Sequence, residues 1–146
     1  MDSLDIDSLW IKVKSRLFAE SRLKTFSNWP YKPSASVLCT PSKLALAGFV
    51  SSATSEEPSS AICVFCDRDL IFDPEDDPWK EHAIREPECP LIRLNNKSEV
   101  DWEVEEAFTL IKHLALKEMS SEFDTIAKTI EEGYNDILLM NDKTTM

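Results

Sequence analysis

The sequence predicts an α+β fold: a small metal-clamped domain of short helices and strands, followed by a long α-helix. Three observations carry this. Three of the four cysteines and one of the two histidines fall in one stretch, AICVFCDRDLIFDPEDDPWKEHAIREPECP, residues 61–90. Upstream of it, cap residues, prolines and short apolar runs alternate too quickly for long elements. Downstream, residues 101–132 contain neither Gly nor Pro and repeat apolar residues at spacings of three and four, which marks one face of a helix.

Composition narrows the class. A chain of 146 residues fits one domain plus an appendage. Four tryptophans and seven phenylalanines argue against disorder, and only two glycines argue against a turn-rich sandwich. No apolar run approaches the ~18 residues of a membrane span. The first residues, MDSLDIDSLW, are acidic and lack the apolar core of a secretory signal. The chain therefore reads as intracellular, where disulfides are rare and close cysteine pairs usually mean metal. A net charge of −11 disfavours direct contact with nucleic acid phosphates and suits a basic protein partner. Residues 1–98 hold 15 acids and 12 bases, whereas residues 99–146 hold 12 acids and 4 bases. The polar stretch NNKSE, residues 95–99, precedes the long periodic segment. The expected organisation is an N-terminal helical segment (1–19), a zinc domain (20–95), and a long amphipathic helix with its tail (96–146).

SLWIKVKSRLF suits a helix with Asp7 or Ser8 as N-cap. Ser21 is placed to cap a second short helix, RLKTFSN, which must stop before Pro30. Thr40-Pro41 is a cap followed by proline at the first helical position, and Gly48 closes that helix. Phe49-Val50, Ile62-Cys63-Val64 and Leu70-Ile71-Phe72 read as three strands, the first two joined by the polar loop SSATSEEPSS. Asp77-Pro78 repeats the cap-plus-proline signal and starts a helix that carries His82 and ends at Pro87. Asp101 is the expected N-cap of the long helix, with Glu103, Glu105 and Glu106 favourable in its first turn. Its apolar stripe is Phe108, Ile111, Ala115, Met119, Phe123, Ile126 and Ile130, continuing to Tyr134. A helix over 101–132 is roughly 48 Å long at 1.5 Å per residue, more than a small domain covers. Part of the stripe is expected to find another partner.

The cluster has the spacing Cys63-x2-Cys66-x15-His82-x6-Cys89. A C-x2-C turn folds two thiolates toward one point, and a histidine and third cysteine at this range complete a tetrahedron of soft ligands suited to one zinc ion. Four protein ligands describe a structural site, without the open position that catalysis needs. Buried unliganded thiols, a redox C-x-x-C pair and a catalytic metal with Glu81 as base are the competing readings. No βαβ pattern supports the redox one. Cys39 reads as a buried structural thiol, and His113 as structural or exposed.

Five segments in order, RLKTFSNWP (22–30), TPSKLALAGF (40–49), CVFC (63–66), DDPWKEH (76–82) and CP (89–90), resemble a baculovirus inhibitor-of-apoptosis repeat, the BIR domain. The loop at 51–60 carries no signature. The resemblance implies zinc on Cys63, Cys66, His82 and Cys89, and a three-stranded antiparallel sheet flanked by short helices. One repeat followed by a long helix, with no RING finger legible, is similar to the survivin-like class, the BIR subunits of the chromosomal passenger complex. For that class the resemblance implies no enzyme, but a scaffold in chromosome segregation and cytokinesis. Its groove would read the N-terminal tail of histone H3 phosphorylated on the threonine at its third position. Asp76, with Asp73 and Glu81 nearby, would hold the free amine. Leu70 and Phe72 would wall the pocket for the first side chain, and Arg68 and Arg85 would hold the phosphate. The helix would bundle with borealin-like and inner-centromere-protein-like subunits and reach Aurora kinase through them. The implied location is the nucleus, the chromosome and centromere, the mitotic spindle and the cytoplasm. Self-association through Leu9, Trp10, Leu94 and Trp102 would give a homodimer. The alternative is an inhibitor of apoptosis that binds caspases or caspase-antagonist N-terminal peptides.

Overall fold

The computed structural model describes residues 5–144; residues 1–4 of the N-terminal segment and 145–146 of the tail lie outside the described residues. Helix α1 (Ile6–Leu17) starts earlier than expected. Its N-cap is Asp5, whose carboxylate accepts from the Asp7 amide at 3.3 Å and the Ser8 hydroxyl at 3.1 Å. One upstream carboxylate serves both residues expected to cap, and both become first-turn residues. Helix α2 (Ala19–Leu23) runs into a 3-10 turn at Lys24–Phe26, and Ser21 does not cap it. The free Ala19 amide instead donates to Glu99 Oε1 at 2.7 Å, a cap delivered from 80 residues away that no local pattern announces.

Arg22 on α2 is 1% exposed. Its Nε donates to the Ala45 carbonyl and its Nη1 to the Arg16 and Leu17 carbonyls, all at 2.8 Å. Its guanidinium lies 5.7 Å from the Phe65 ring centre. Burial lowers its pKa to about 10, partly offset by Glu99. A buried cation is tolerated because its donors are satisfied. The aromatic run Phe26, Trp29, Tyr31 packs edge to face, and the Tyr31 hydroxyl donates to the Phe72 carbonyl at 2.6 Å. The loop before residue 40 is thereby tied to the sheet.

Helix α3 (Pro41–Leu46) is capped as expected: the Thr40 side chain accepts from the Lys43 amide, and Pro41 stands first. Gly48 follows at φ +96°. A Cβ there would lie 2.8 Å from Leu91 Cδ2 and 3.3 Å from Cys63 Sγ. Gly48→Ala is therefore expected to lower stability by about 1–3 kcal/mol, read as a lower urea midpoint at unchanged slope. An unchanged midpoint would mean that this turn does not need its left-handed backbone.

Strands β1 (Phe49–Ser51), β2 (Ser60–Cys63) and β3 (Asp69–Ile71) form an antiparallel sheet in that order, with Phe49 opposite Cys63 and Ser60 opposite Ile71. The second strand begins and ends earlier than its apolar run suggests. Val64 is drawn into the turn between the cysteines, where its amide donates to the Gly48 carbonyl at 3.0 Å. Ser60 joins the strand because its hydroxyl, with that of Ser52, bonds Asp69 Oδ1 at 2.8 and 2.9 Å. Helix α4 (Pro78–Arg85) has Asp77 as N-cap, accepting from the Trp79 and Lys80 amides.

Helix α5 (Val104–Thr144) begins later than expected and runs longer. Asp101 closes a short 3-10 turn instead of capping α5. Glu106 Oε1 accepts the Glu103 amide at 2.9 Å and Lys97 Nζ at 2.8 Å, so the helix start is satisfied from inside its first turn. Gly133 lies mid-helix in open space and does not end it, so α5 is roughly 62 Å long at 1.5 Å per residue.

Two apolar lines run along α5, on nearly opposite sides of it at about 100° per residue. The one that enters the core is Leu110 and Leu114, flanked by half-buried Ile111 and Ala115. The residues expected to form one stripe divide: Ile111, Ala115 and Ile126 are half-buried, whereas Phe108, Met119, Phe123 and Ile130 are exposed. Glu118 and Glu122 pair with Arg16 and Lys12 of α1 and fasten the helix base to α1. Of the proposed self-association surface, Leu9, Leu94 and Trp102 pack partly against the core, and Trp10 is exposed. No helix among the described residues is long and apolar enough to cross a membrane.

Candidate metal centre and flanking groove

Two elements and the segments that follow them deliver the ligand set. Cys63 ends β2, Cys66 lies in the turn between β2 and β3, His82 projects from α4, and Cys89 follows α4. The turn is closed by Cys63 N donating to the Arg68 carbonyl at 2.9 Å and Asp67 N donating to the Cys63 carbonyl at 3.0 Å. Asp67 takes φ 63°, which an aspartate tolerates in a tight turn.

The ligand atoms of Cys63, Cys66, His82 and Cys89 lie within 4.8 Å of one another. Cys63 and Cys89 sulfurs are 3.9 Å apart, and Cys66 Sγ is 3.3 Å from His82 Nε2. A tetrahedron with metal–sulfur bonds of about 2.3 Å has edges of about 3.8 Å, so the cage fits a zinc-sized ion. His82 Nδ1 donates to the Ala47 carbonyl at 2.9 Å, which leaves Nε2 unprotonated and aimed at the sulfurs. All four cysteines, Cys39 included, are free thiols. Burial pushes the Cys63 thiol up, while hydrogen bonds from Cys63 and Cys66 hold Cys89 down at about 3. The protein groups alone thus stabilise one thiolate readily and resist a second, which a divalent cation would relieve. The four residues can hold a metal ion.

Cys39 is fully buried, and burial first, then Asp76 and Asp77, push it up to about 12. It is an inert core thiol. His113, expected to be structural or exposed, donates from Nε2 to the Phe65 carbonyl. Lys117 Nζ donates to the Val64 carbonyl at 2.7 Å and to Asp67 Oδ1 at 2.6 Å. The base of α5 therefore grips the metal-binding turn. Sequence reading missed this because the partners are about 50 residues apart and no periodicity links them, and it missed buried Arg22 because backbone carbonyls, its partners, leave no mark in a sequence.

The residues assigned to a groove are partly brought together. Asp76 Oδ2 accepts from the Asp73 amide at 2.8 Å and rigidifies the acidic turn. Leu70 is half-buried on β3, and Ile71 beside it is exposed. Phe72 departs from expectation. It is 1% exposed and packs edge to face on Phe49 at 5.2 Å, so it is a core residue. One residue past β3, it continues the alternation on the Leu70 side and closes onto the core. Arg68 Nε and Nη2 lie 3.0 and 2.8 Å from Glu86 Oε1. Arg85 Nη1 lies 2.5 Å from Glu81 Oε2, so the carboxylate next to His82 is engaged on the helix surface.

Comparison with known proteins agrees with this geometry. Residues 22–93 match the family model described as "BIR: Inhibitor of Apoptosis domain". The chain is 34% identical over 114 residues to Baculoviral IAP repeat-containing protein 5 of Rattus norvegicus, covering 77% of this chain and 78% of that one. It is 36% identical over 93 residues to Chromosomal passenger complex protein bir-1 of Caenorhabditis elegans, covering 64% of this chain and 57% of that protein. It is 41% identical over 91 residues to Baculoviral IAP repeat-containing protein bir-2 of the same organism, covering 62% of this chain but 30% of that protein. Several other curated relatives are matched over about half their length. With the ligand cage, the three-stranded sheet and the long C-terminal helix in place, the chain belongs to the family of proteins built on a BIR domain.

Proposed function

We propose that this chain is a non-enzymatic scaffold and targeting subunit of a chromosomal passenger complex. Residues 20–95 form its zinc domain, with one structural Zn2+ on Cys63, Cys66, His82 and Cys89, and α5 is its assembly arm. One observation carries the reading: a single BIR domain from which a helix projects whose outer half leaves Phe123, Ile130 and Tyr134 exposed. A rodent relative is matched over most of its length, and a nematode relative is named as a chromosomal passenger complex protein, which supports the assignment. The groove formed by Leu70, Asp73, Asp76, Glu81, Arg68 and Arg85 reads the amino-terminal tail of histone H3 with phosphothreonine at its third position. The arm bundles with borealin-like and inner-centromere-protein-like helices and, through them, Aurora kinase. The protein then acts at chromosomes and centromeres, on the spindle, and in the nucleus and cytoplasm.

The test is binding of free-amine, acetylated, phosphorylated and unmodified tail peptides. Asp76→Ala is expected to abolish binding of the free-amine tail, since an ammonium buried on binding without its counter-charge costs on the order of 2–5 kcal/mol. Acetylating the peptide amine is expected to do the same. Equal binding of acetylated and free peptides would remove Asp76 from this role. Arg68→Ala is expected to erase only the preference for the phosphorylated tail, because the fork makes a charge-assisted contact with phosphate alone. Caspase-antagonist N-terminal peptides bound more tightly than the histone tail would favour the apoptosis reading instead.

A further inference from the structure

Each arginine that this reading assigns to the phosphate is already held by a carboxylate of its own chain. Arg68, two residues past Cys66, points Nε and Nη2 at one oxygen of Glu86. Arg85 points Nη1 at Glu81, one helical turn back. The Arg68–Glu86 contact is the less local of the two. It joins the metal-binding turn to the residue just past α4, across 18 residues of sequence. The Glu86 amide donates to the His82 carbonyl at 2.8 Å, so its backbone is fixed and only its side chain can leave. Both side chains keep contact with water, 41% exposed for Arg68 and 33% for Glu86, so the pair can exchange.

A guanidinium edge offers its N–H pair to one anion at a time. We infer that Glu86 is a specificity-determining residue of the groove: its carboxylate occupies the Arg68 fork and competes there with the phosphate of an incoming tail. This rests on the groove reading proposed above. A phosphorylated tail must displace Glu86 from Arg68, whereas an unmodified tail leaves the pair in place. The native pair thus narrows the affinity gap between the two tails. A phosphate that enters also meets the displaced carboxylate as a like charge. Removing that charge while keeping the side-chain shape widens the gap.

The experiment compares Glu86→Gln with Glu88→Gln in the full chain. Glu88 lies two residues further on, is mostly exposed and pairs with Arg93 instead, so its replacement removes the same charge without touching Arg68. Free-amine tails beginning with Ala-Arg-Thr or Ala-Arg-phosphoThr are titrated against both variants and the parent. Glu86→Gln is expected to tighten the phosphorylated tail by about two- to fivefold, the span of an exposed ion pair, and to leave the unmodified tail unchanged. Glu88→Gln is expected to leave the ratio of the two affinities at the parent value. Equal ratios for the two variants would overturn the inference. Free phosphothreonine, titrated while the Arg68 Nε resonance is followed, decides the case in which no tail binds. If it saturates Arg68 of Glu86→Gln at a lower concentration than Arg68 of Glu88→Gln, the competition stands and the histone reading falls. If the two variants saturate alike, the competition falls.

Discussion

Cys66→Ser and His82→Ala will each release the metal and unfold residues 20–95. The magnitudes decide this. Binding of a structural zinc ion is worth about 10–16 kcal/mol, and the net stability of a domain is about 5–15 kcal/mol, so a lost ligand removes as much as the fold has to spare. The geometry points the same way. His82 packs 4.9 Å from Phe49, its ring bonds the Ala47 carbonyl, and Cys63 ends the central strand. The cage is thus where β1, β2, α3 and α4 meet. A small domain with a three-stranded sheet buries too little apolar surface to hold these elements without it. Chelation of the parent is expected to give the same state as the mutations, with loss of near-ultraviolet signal and of the cooperative thermal transition. Zinc content per chain and the melting profile check this together. A metal-free protein with an unchanged transition would show the cage to be decoration on a core that folds alone.

The elements most legible in the sequence were those fixed by local chemistry. Thr40-Pro41 and Asp77-Pro78 cap helices where they stand, because a side-chain oxygen and a proline act within one turn. The ligand spacing was equally readable, since two cysteines in a turn and a histidine on a helix need no distant partner to be noticed. What escaped was set by tertiary contact. Ala19 is capped by Glu99, Arg22 is buried among carbonyls, and Leu110 and Leu114, outside the expected stripe, enter the core. Periodicity shows that α5 has an apolar face, but a stripe drawn on its larger set, Phe123 and Ile130 included, leaves out Leu110 and Leu114 on nearly the opposite side, and only the fold shows that this side meets the domain. Phe72 shares the Leu70 side of the chain, as alternation predicts, but only the fold shows that Phe49 closes over that side at residue 72. At the phosphate site that the resemblance implies, the Glu86 carboxylate on Arg68 appears only in the fold, whereas the Glu81–Arg85 pair has the four-residue spacing of one helix face.

Phe123→Glu combined with Ile130→Glu will abolish assembly through α5 while leaving zinc content and peptide binding intact. Among the residues whose burial is described, the last fully buried one of the helix is Leu114, and the helix continues to Thr144, roughly 45 Å further at 1.5 Å per residue. Over that length Phe123, Ile130, Tyr134 and Ile137 are all more than half exposed. An isolated helix draws most of its stability from packing, so a bare apolar line of this length marks a surface that a partner covers. Phe123 and Ile130 are seven residues apart, two helical turns, and so lie on one side. Burying two such side chains is worth about 3–6 kcal/mol, and a partner facing two carboxylates instead would also meet the desolvation cost of both. Association in the micromolar range or tighter would then be lost. Glu118 and Glu122 are already paired with α1, which leaves Glu131 and Glu132 to favour basic helices as partners. Both substitutions lie beyond the Lys117–Asp67 contact that fastens the helix base to the metal-binding turn, so their effects and those in the groove are independent. Co-purification with partner helices and sizing of the chain alone read the first half of this result; metal content and tail binding read the second. A double mutant that assembles like the parent would place the interface elsewhere, and one whose peptide binding falls in parallel would make the outer helix part of the BIR domain.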